Sequence, residues 1–129
     1  MAKICLIEDE AMIRETLNRI LQKLGHEVVT CSDGAQGLIE ITKNSYDIVL
    51  TDIIMPEVEG IEILQTVKKV SPTTKVIAMS GGGRVGNTDF LEIASSLGAD
   101  AIIYKPVTKT DFMEALNKCL SERQQELAG

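Results

Sequence analysis

Apolar residues recur along this chain in two rhythms. Short unbroken runs occur around Ile4–Ile7, Val28–Val29, Ile48–Leu50, Val76–Met79 and Ile102–Ile103. Runs of that length predict strands buried on both faces of a parallel sheet, placed here at residues 3–8, 26–31, 48–52, 74–80 and 101–104. Between them the apolar positions spread to a helical spacing. Ile13, Leu17, Ile20, Leu21 and Leu24 form one stripe, with Gly25 as its stop. Asp33 with Gln36 three residues on reads as a helix start, and Ala35, Leu38, Ile39 and Thr42 are the expected inward face; Gly37 is expected to weaken it. Gly60 opens a third helix through Ile61, Leu64 and Val67, which stops at Ser71-Pro72. Phe90, Leu91, Ala94 and Leu97 mark a fourth, stopped by Gly98. Thr108 with Asp111 opens a fifth, whose stripe is Phe112, Ala115, Leu116, Cys119 and Leu120; the polar tail from Glu122 is expected to fray.

Strand and helix therefore alternate five times with short connections. The pattern predicts an α/β fold, (βα)5, with one parallel sheet between two helical layers. Right-handed crossovers then bring the carboxyl ends of all five strands to one edge. The 129 residues suit one domain, expected over residues 1–125, with 126–129 as a frayed tail.

Composition narrows the function classes. A net charge of −6 disfavours non-specific nucleic-acid binding, which needs a basic surface. No apolar stretch reaches membrane-spanning length and the first residues lack a signal-peptide pattern, so a cytoplasmic protein without membrane insertion is expected. Cys5, Cys31 and Cys119 are an odd number, far apart, and read as buried small hydrophobes in a reducing compartment. His26 is the sole histidine, which disfavours a histidine-rich metal site. GxxxxGK is absent, as is the Asp-x-Asp pair of aspartate-nucleophile phosphatases, because Ile53-Ile54 follows Asp52.

The strand ends carry the candidate chemistry. The first gives Glu8 and Asp9, the third Asp52, the fourth Ser80 and the fifth Lys105. Three gathered carboxylates repel one another and favour a raised pKa or a divalent cation. Hard oxygen donors without thiol or imidazole suit Mg2+, which often bridges to a phosphoryl group. A lysine and a hydroxyl at the same spot suit phosphoryl oxygens, and aspartate is an established phosphoryl-accepting nucleophile. The ensemble reads as a phosphoaspartate site with Mg2+.

These residues give the chain its resemblance to a two-component response-regulator receiver domain of the CheY-like type. The resemblance rests on Glu8-Asp9, on Asp-x-x-Met-Pro-x-x-x-Gly at 52–60, on Ser80 and on Lys105-Pro106, and it spans essentially the whole length. It implies strand order 2-1-3-4-5. It also implies that Asp52 accepts phosphoryl from a phosphohistidine on a sensor histidine kinase or histidine phosphotransfer protein. Asp9, Asp52 and the backbone carbonyl of Ile54 would bind Mg2+, and Glu8 would reach it through water. Lys105 would contact the phosphoryl group, Ser80 would swing to hydrogen-bond it, and Lys105-Pro106 would be cis. Signalling would follow a conformational switch read by an unidentified output protein, or the phosphoryl group would be relayed onward.

Three positions depart from the family pattern. The aromatic that many members carry three residues before the lysine is Ile102 here, and Tyr104 is expected not to replace it as a switch. The segment GGGRVG at 81–86 matches GxGxxG, but it follows the fourth strand rather than the first and reads as a switch loop, with Arg84 facing solvent. Ile54 is expected to shield the acyl phosphate and slow its hydrolysis. The expected protein is a stand-alone receiver that is not an enzyme. The alternatives are a receiver domain cut from a longer regulator with a DNA-binding or enzymatic output, a phosphorylation-independent adaptor, and a flavodoxin-type redox protein, which would need a hydroxyl-rich loop after the first strand.

Overall fold

The computed structural model describes residues 1–53, 60–80, 92 and 94–128. Five strands, β1 (Lys3–Ile7), β2 (Glu27–Cys31), β3 (Ile48–Asp52), β4 (Lys75–Ser80) and β5 (Ala101–Tyr104), form one parallel sheet of order β2-β1-β3-β4-β5. Helices α1 (Ala11–Lys23), α2 (Gly34–Lys43) and α3 (Gly60–Val70) and a C-terminal helix (Lys109–Ala128) cover it. Of the fourth predicted helix, Glu92 and residues 94–96 are helical; Phe90 and Leu91 lie outside the described residues.

Alternation along each strand divides the core into two layers. Ile4, Leu6, Ile48, Leu50, Ile77, Met79 and Ile103 face α1 and the C-terminal helix, where Leu17, Leu21, Phe112 and Leu116 meet them. Cys5, Ile7, Val49, Val76 and Ala78 face α2 and α3, against Ile41, Ile63, Leu64 and Val67. All three cysteines are buried and unpaired, and burial pushes the Cys119 thiol up to about 12.

Caps fall where the sequence signals them. At the end of α1, Gly25 takes φ +89° and donates to Gln22, while His26 N–H donates to Leu21, a Schellman pair that satisfies two terminal carbonyls. The Asp33 carboxylate accepts from Gln36 N–H, and Thr108 Oγ1 accepts from Asp111 N–H.

Two expectations change. Ala35, Ile39 and Thr42 of α2 are exposed; the inward face is Gly34, Gly37, Leu38 and Ile41. The glycines are the contact side: a Cβ on Gly37 would lie 2.5 Å from Ile7 Cδ1, so the missing side chain lets α2 rest on β1. The C-terminal helix does not fray at Glu122 but runs to Ala128. Its last turns are tied to the amino-terminal edge of the sheet. Arg123 pairs with Asp47 at 2.8 Å and donates to the Thr73 carbonyl at 2.6 Å, and Glu126 pairs with the buried Lys75. Asp100 adds to this cluster by pairing with Lys68 and Lys75, and Asp47 also accepts from Lys3 N–H.

Candidate functional site

At the opposite edge, three strands on one face of the sheet each deliver one charged side chain. Ile4 and Leu6 lead by alternation to Glu8, Ile48 and Leu50 to Asp52, and Ala101 and Ile103 to Lys105. Ser80 continues the other face after Val76 and Ala78. Asp52 is the last residue of β3 and Ser80 the last of β4, and Lys105 N–H donates to the Ser80 carbonyl at 2.9 Å. The hydrophobic runs that build the core thus end on the residues that would do chemistry.

Lys105 is the hub. Its ammonium donates to Asp52 Oδ2 at 2.7 Å and forms a close ion pair with Glu8 Oε1 at 2.8 Å, without hydrogen-bond alignment at that oxygen. Glu10 Oε1 stands 3.7 Å away. Glu8 is fully buried, Asp52 is 5% exposed and Lys105 8%. Burial pushes the Glu8 carboxyl above its usual range and the Asp52 charge adds to this, against the pull of Lys105. Burial alone would lower the Lys105 ammonium, but the close contacts with the Asp52 and Glu8 carboxylates and their charges outweigh it, so the net direction is up. The lysine therefore stays charged beside the carboxylates. The Ser80 hydroxyl is buried at this edge and finds no hydrogen-bond partner among the described residues.

Asp9 is exposed and joins Glu8 and Glu10 in a cluster whose carboxylate oxygens lie within 4.8 Å of one another. Glu10 completes this cluster and was missed as a site residue; three consecutive acids after an apolar run were its signal. Hard oxygens at this spacing, with a buried hydroxyl at the same edge, fit a magnesium ion with phosphoryl oxygens. Ile54 lies outside the described residues, as do Pro56, residues 81–86 and Arg84. Lys105-Pro106 is cis. Ile102 is half-buried against the core, whereas Tyr104 is 48% exposed.

The backbone behind Asp52 is equally constrained. Ile53 N–H donates to the Met79 carbonyl, and Gly60 N–H donates to the Ile53 carbonyl at 2.9 Å. Ile53, directly after Asp52, is thereby held both to β4 and to the first residue of α3.

Comparison with known proteins bears on this arrangement directly. A family profile described as the response regulator receiver domain matches residues 4–117. This chain belongs to that family. The receiver is 33% identical over 120 residues to the chemotaxis protein CheY of Bacillus subtilis, covering 92% of this chain and 98% of that one. It is 32% identical over 118 residues to the sporulation initiation phosphotransferase F of the same organism, covering 92% and 93%. A crystal structure of a receiver domain protein from Clostridium thermocellum superposes with a TM-score of 0.88 at 35% identity, over 97% of this chain and 98% of that one. Other relatives are longer: this chain spans 19% of a Saccharomyces cerevisiae transcription factor. The receiver is accordingly a phosphoacceptor signalling module with the flavodoxin-like, CheY-like fold. Among the described residues no helix is long and apolar enough to cross a membrane.

Proposed function

We propose that Asp52 is the phosphoacceptor and that Glu8, Asp9, Ser80 and Lys105 serve it. The observation that carries this reading is the Lys105 ammonium held between Asp52 and Glu8, with the Ser80 hydroxyl, which has no hydrogen-bond partner among the described residues, at the same buried edge. In the proposed step a carboxylate oxygen of Asp52 attacks phosphorus of a phosphohistidine. The new O–P bond forms as the N–P bond breaks, and the electron pair returns to the imidazole. Lys105 exchanges its contact with Asp52 Oδ2 for a phosphoryl oxygen, and the Ser80 hydroxyl donates to another. Both donors are already desolvated, so they act on the developing charge at little reorganisation cost.

Asp9, Asp52 and the Ile54 carbonyl would hold Mg2+, with Glu8 reaching it through water. Bound there, the ion supplies positive charge that offsets the carboxylates and the incoming phosphoryl oxygens. The phosphoryl donor is a sensor histidine kinase or a histidine phosphotransfer protein. A groove of about 430 Å3, lined by Met12, Ile13, Ile20, Pro106, Val107 and Phe112, opens beside Lys105 and supports approach of such a partner from that side. The reading takes the chain as one receiver unit in the cytoplasm, without direct nucleic-acid contact. It signals to an output protein or relays the phosphoryl group rather than turning over a substrate.

Intact mass after incubation with a small phosphodonor and Mg2+ tests the acceptor. A single phosphoryl adduct that requires Mg2+ and is lost in Asp52→Asn is the expected result. An adduct of undiminished yield in that variant would move the acceptor elsewhere.

A further inference from the structure

The acidic turn, residues 8–10, is fixed by more than its place after β1. Glu8 N–H donates to the Cys31 carbonyl of β2 at 3.1 Å. Glu8 Oε2 accepts from Glu10 N–H at 3.1 Å, and Oε1 pairs with Lys105. The remaining polar group of Glu8, its carbonyl, accepts from Arg14 Nη1 at 2.8 Å. Arg14 is half-buried in the second turn of α1, and its own N–H donates to the Glu10 carbonyl at 2.9 Å. The second bond is the first backbone rung of the helix, which any non-proline residue would make; the guanidinium bond to the Glu8 carbonyl is the one that belongs to arginine. The start of the helix adds little to this bond: its N-cap residue, Glu10, makes no side-chain capping bond, and its first turn holds no acidic residue.

Two roles are open to a guanidinium in this place, and they have opposite signs. As a bare positive charge beside three carboxylates, Arg14 would compete with a divalent cation. As a hydrogen-bond donor to the Glu8 carbonyl, it would hold the carboxylates at a spacing that receives one. The second follows from where the contact is made. The guanidinium donates to a neutral backbone oxygen, and no ion pair joins it to Glu8, Asp9 or Glu10 among the described residues. The carboxylate oxygens lie within 4.8 Å of one another, and those of Glu8 and Glu10 also stand near Lys105.

We propose that Arg14 is a positioning residue for the acidic turn, and that its bond to the Glu8 carbonyl sets the spacing at which the carboxylates take Mg2+. This rests on the metal reading given above. The test is an amide chemical-shift titration of the unphosphorylated protein with MgCl2, followed at the amides of residues 8–10, for wild type, Arg14→Met and Arg14→Lys. Thermal unfolding serves as the fold control. Arg14→Met is expected to weaken the apparent Mg2+ affinity by about 10- to 100-fold, the range seen when outer-shell partners of metal ligands are lost. Arg14→Lys keeps the charge and one donor but not the planar fork, and is expected to fall between the two. Should Arg14→Met not fold, the lysine variant decides, since a pure charge role predicts wild-type affinity there. Equal or tighter Mg2+ binding in Arg14→Met, or wild-type affinity in Arg14→Lys, would overturn the positioning role while leaving the site standing. Absence of a saturable shift in wild type would overturn the metal site itself and this proposal with it.

Discussion

A methyl group on Gly60 would lie 2.1 Å from the carbonyl oxygen of Asp52 and 2.5 Å from Cα of Ile53. Both are backbone atoms, of the proposed acceptor and of the residue after it, and neither is free to yield. Gly60→Ala is expected to lower stability by about 1–3 kcal/mol, the usual cost of overpacking. It should also slow phosphorylation of Asp52, because the strain is relieved by moving the acceptor; the urea midpoint and the rate of adduct formation check the two effects. His26 offers a pH test. Its Nδ1 accepts from Ala2 N–H at 3.0 Å, which requires the neutral ring. Burial and the positive chain terminus hold its pKa below the ordinary 6.5, against the opposing charge of Asp47. Between the ordinary and folded values the unfolded chain binds more protons, so this contribution is complete above pH 6.5 and is lost as pH falls below it. His26→Asn keeps an acceptor that does not titrate, and should reduce the drop in thermal midpoint between pH 7.5 and pH 5.5. At this scale Glu8, Asp52, Ser80 and Lys105 were legible because each terminates an apolar run. Arg14 was not, because its contact is a through-space bond to a backbone carbonyl that no spacing announces.

Elements were legible in kind and order, since buried runs and helical stripes differ in period. Their faces were less so. In α2 the rule that glycine weakens a helix concealed that Gly37 is laid against β1 and that Gly34 is buried beside it on the same helix. The end of the C-terminal helix misled for a different reason. Its last residues are polar, which suggests a loose tail, yet their partners are charged groups at the starts of β3 and β4, far away in sequence. These partners give a graded prediction. Arg123 is largely buried and carries two polar contacts, so Arg123→Ala should cost about 1–2 kcal/mol, in line with hydrogen bonds to charged groups. Glu126 is half-exposed, and Glu126→Gln should change stability by less than about 0.5 kcal/mol, as for other solvent-screened pairs. Urea denaturation measures both, and hydrogen exchange at residues 122–128 should quicken in the arginine variant.

For the whole molecule, strand order came through the family resemblance and not from periodicity, which is silent on which strands are neighbours. Parallel strands alone put Glu8, Asp52 and Lys105 at one edge; the order β2-β1-β3-β4-β5 adds that β1 and β3, which carry the two carboxylates, are neighbours. Among the described residues the resting site balances several carboxylates against one lysine, so a bound cation should stabilise the folded state. Mg2+ at about a hundred times its dissociation constant should add roughly 2.7 kcal/mol, read as a rise in thermal midpoint. Asp9→Asn should remove most of that rise without much effect in the metal-free protein, since Asp9 is exposed.

β3 carries an aspartate at its exit and another just before its entrance, and the two lead separate lives. Asp47 ties Lys3 of β1 and Arg123 of the last helix together, whereas Asp52 faces the lysine it would surrender to a phosphoryl group. In a library of random variants, sorting cells by the amount of folded protein would enrich for intact residues around Asp47, Lys75, Asp100 and Arg123. Sorting the survivors by signal would then single out Glu8, Asp9, Asp52 and Lys105. Heredity could thus tune one rim of the sheet for endurance and the other for communication, with little conflict between the two.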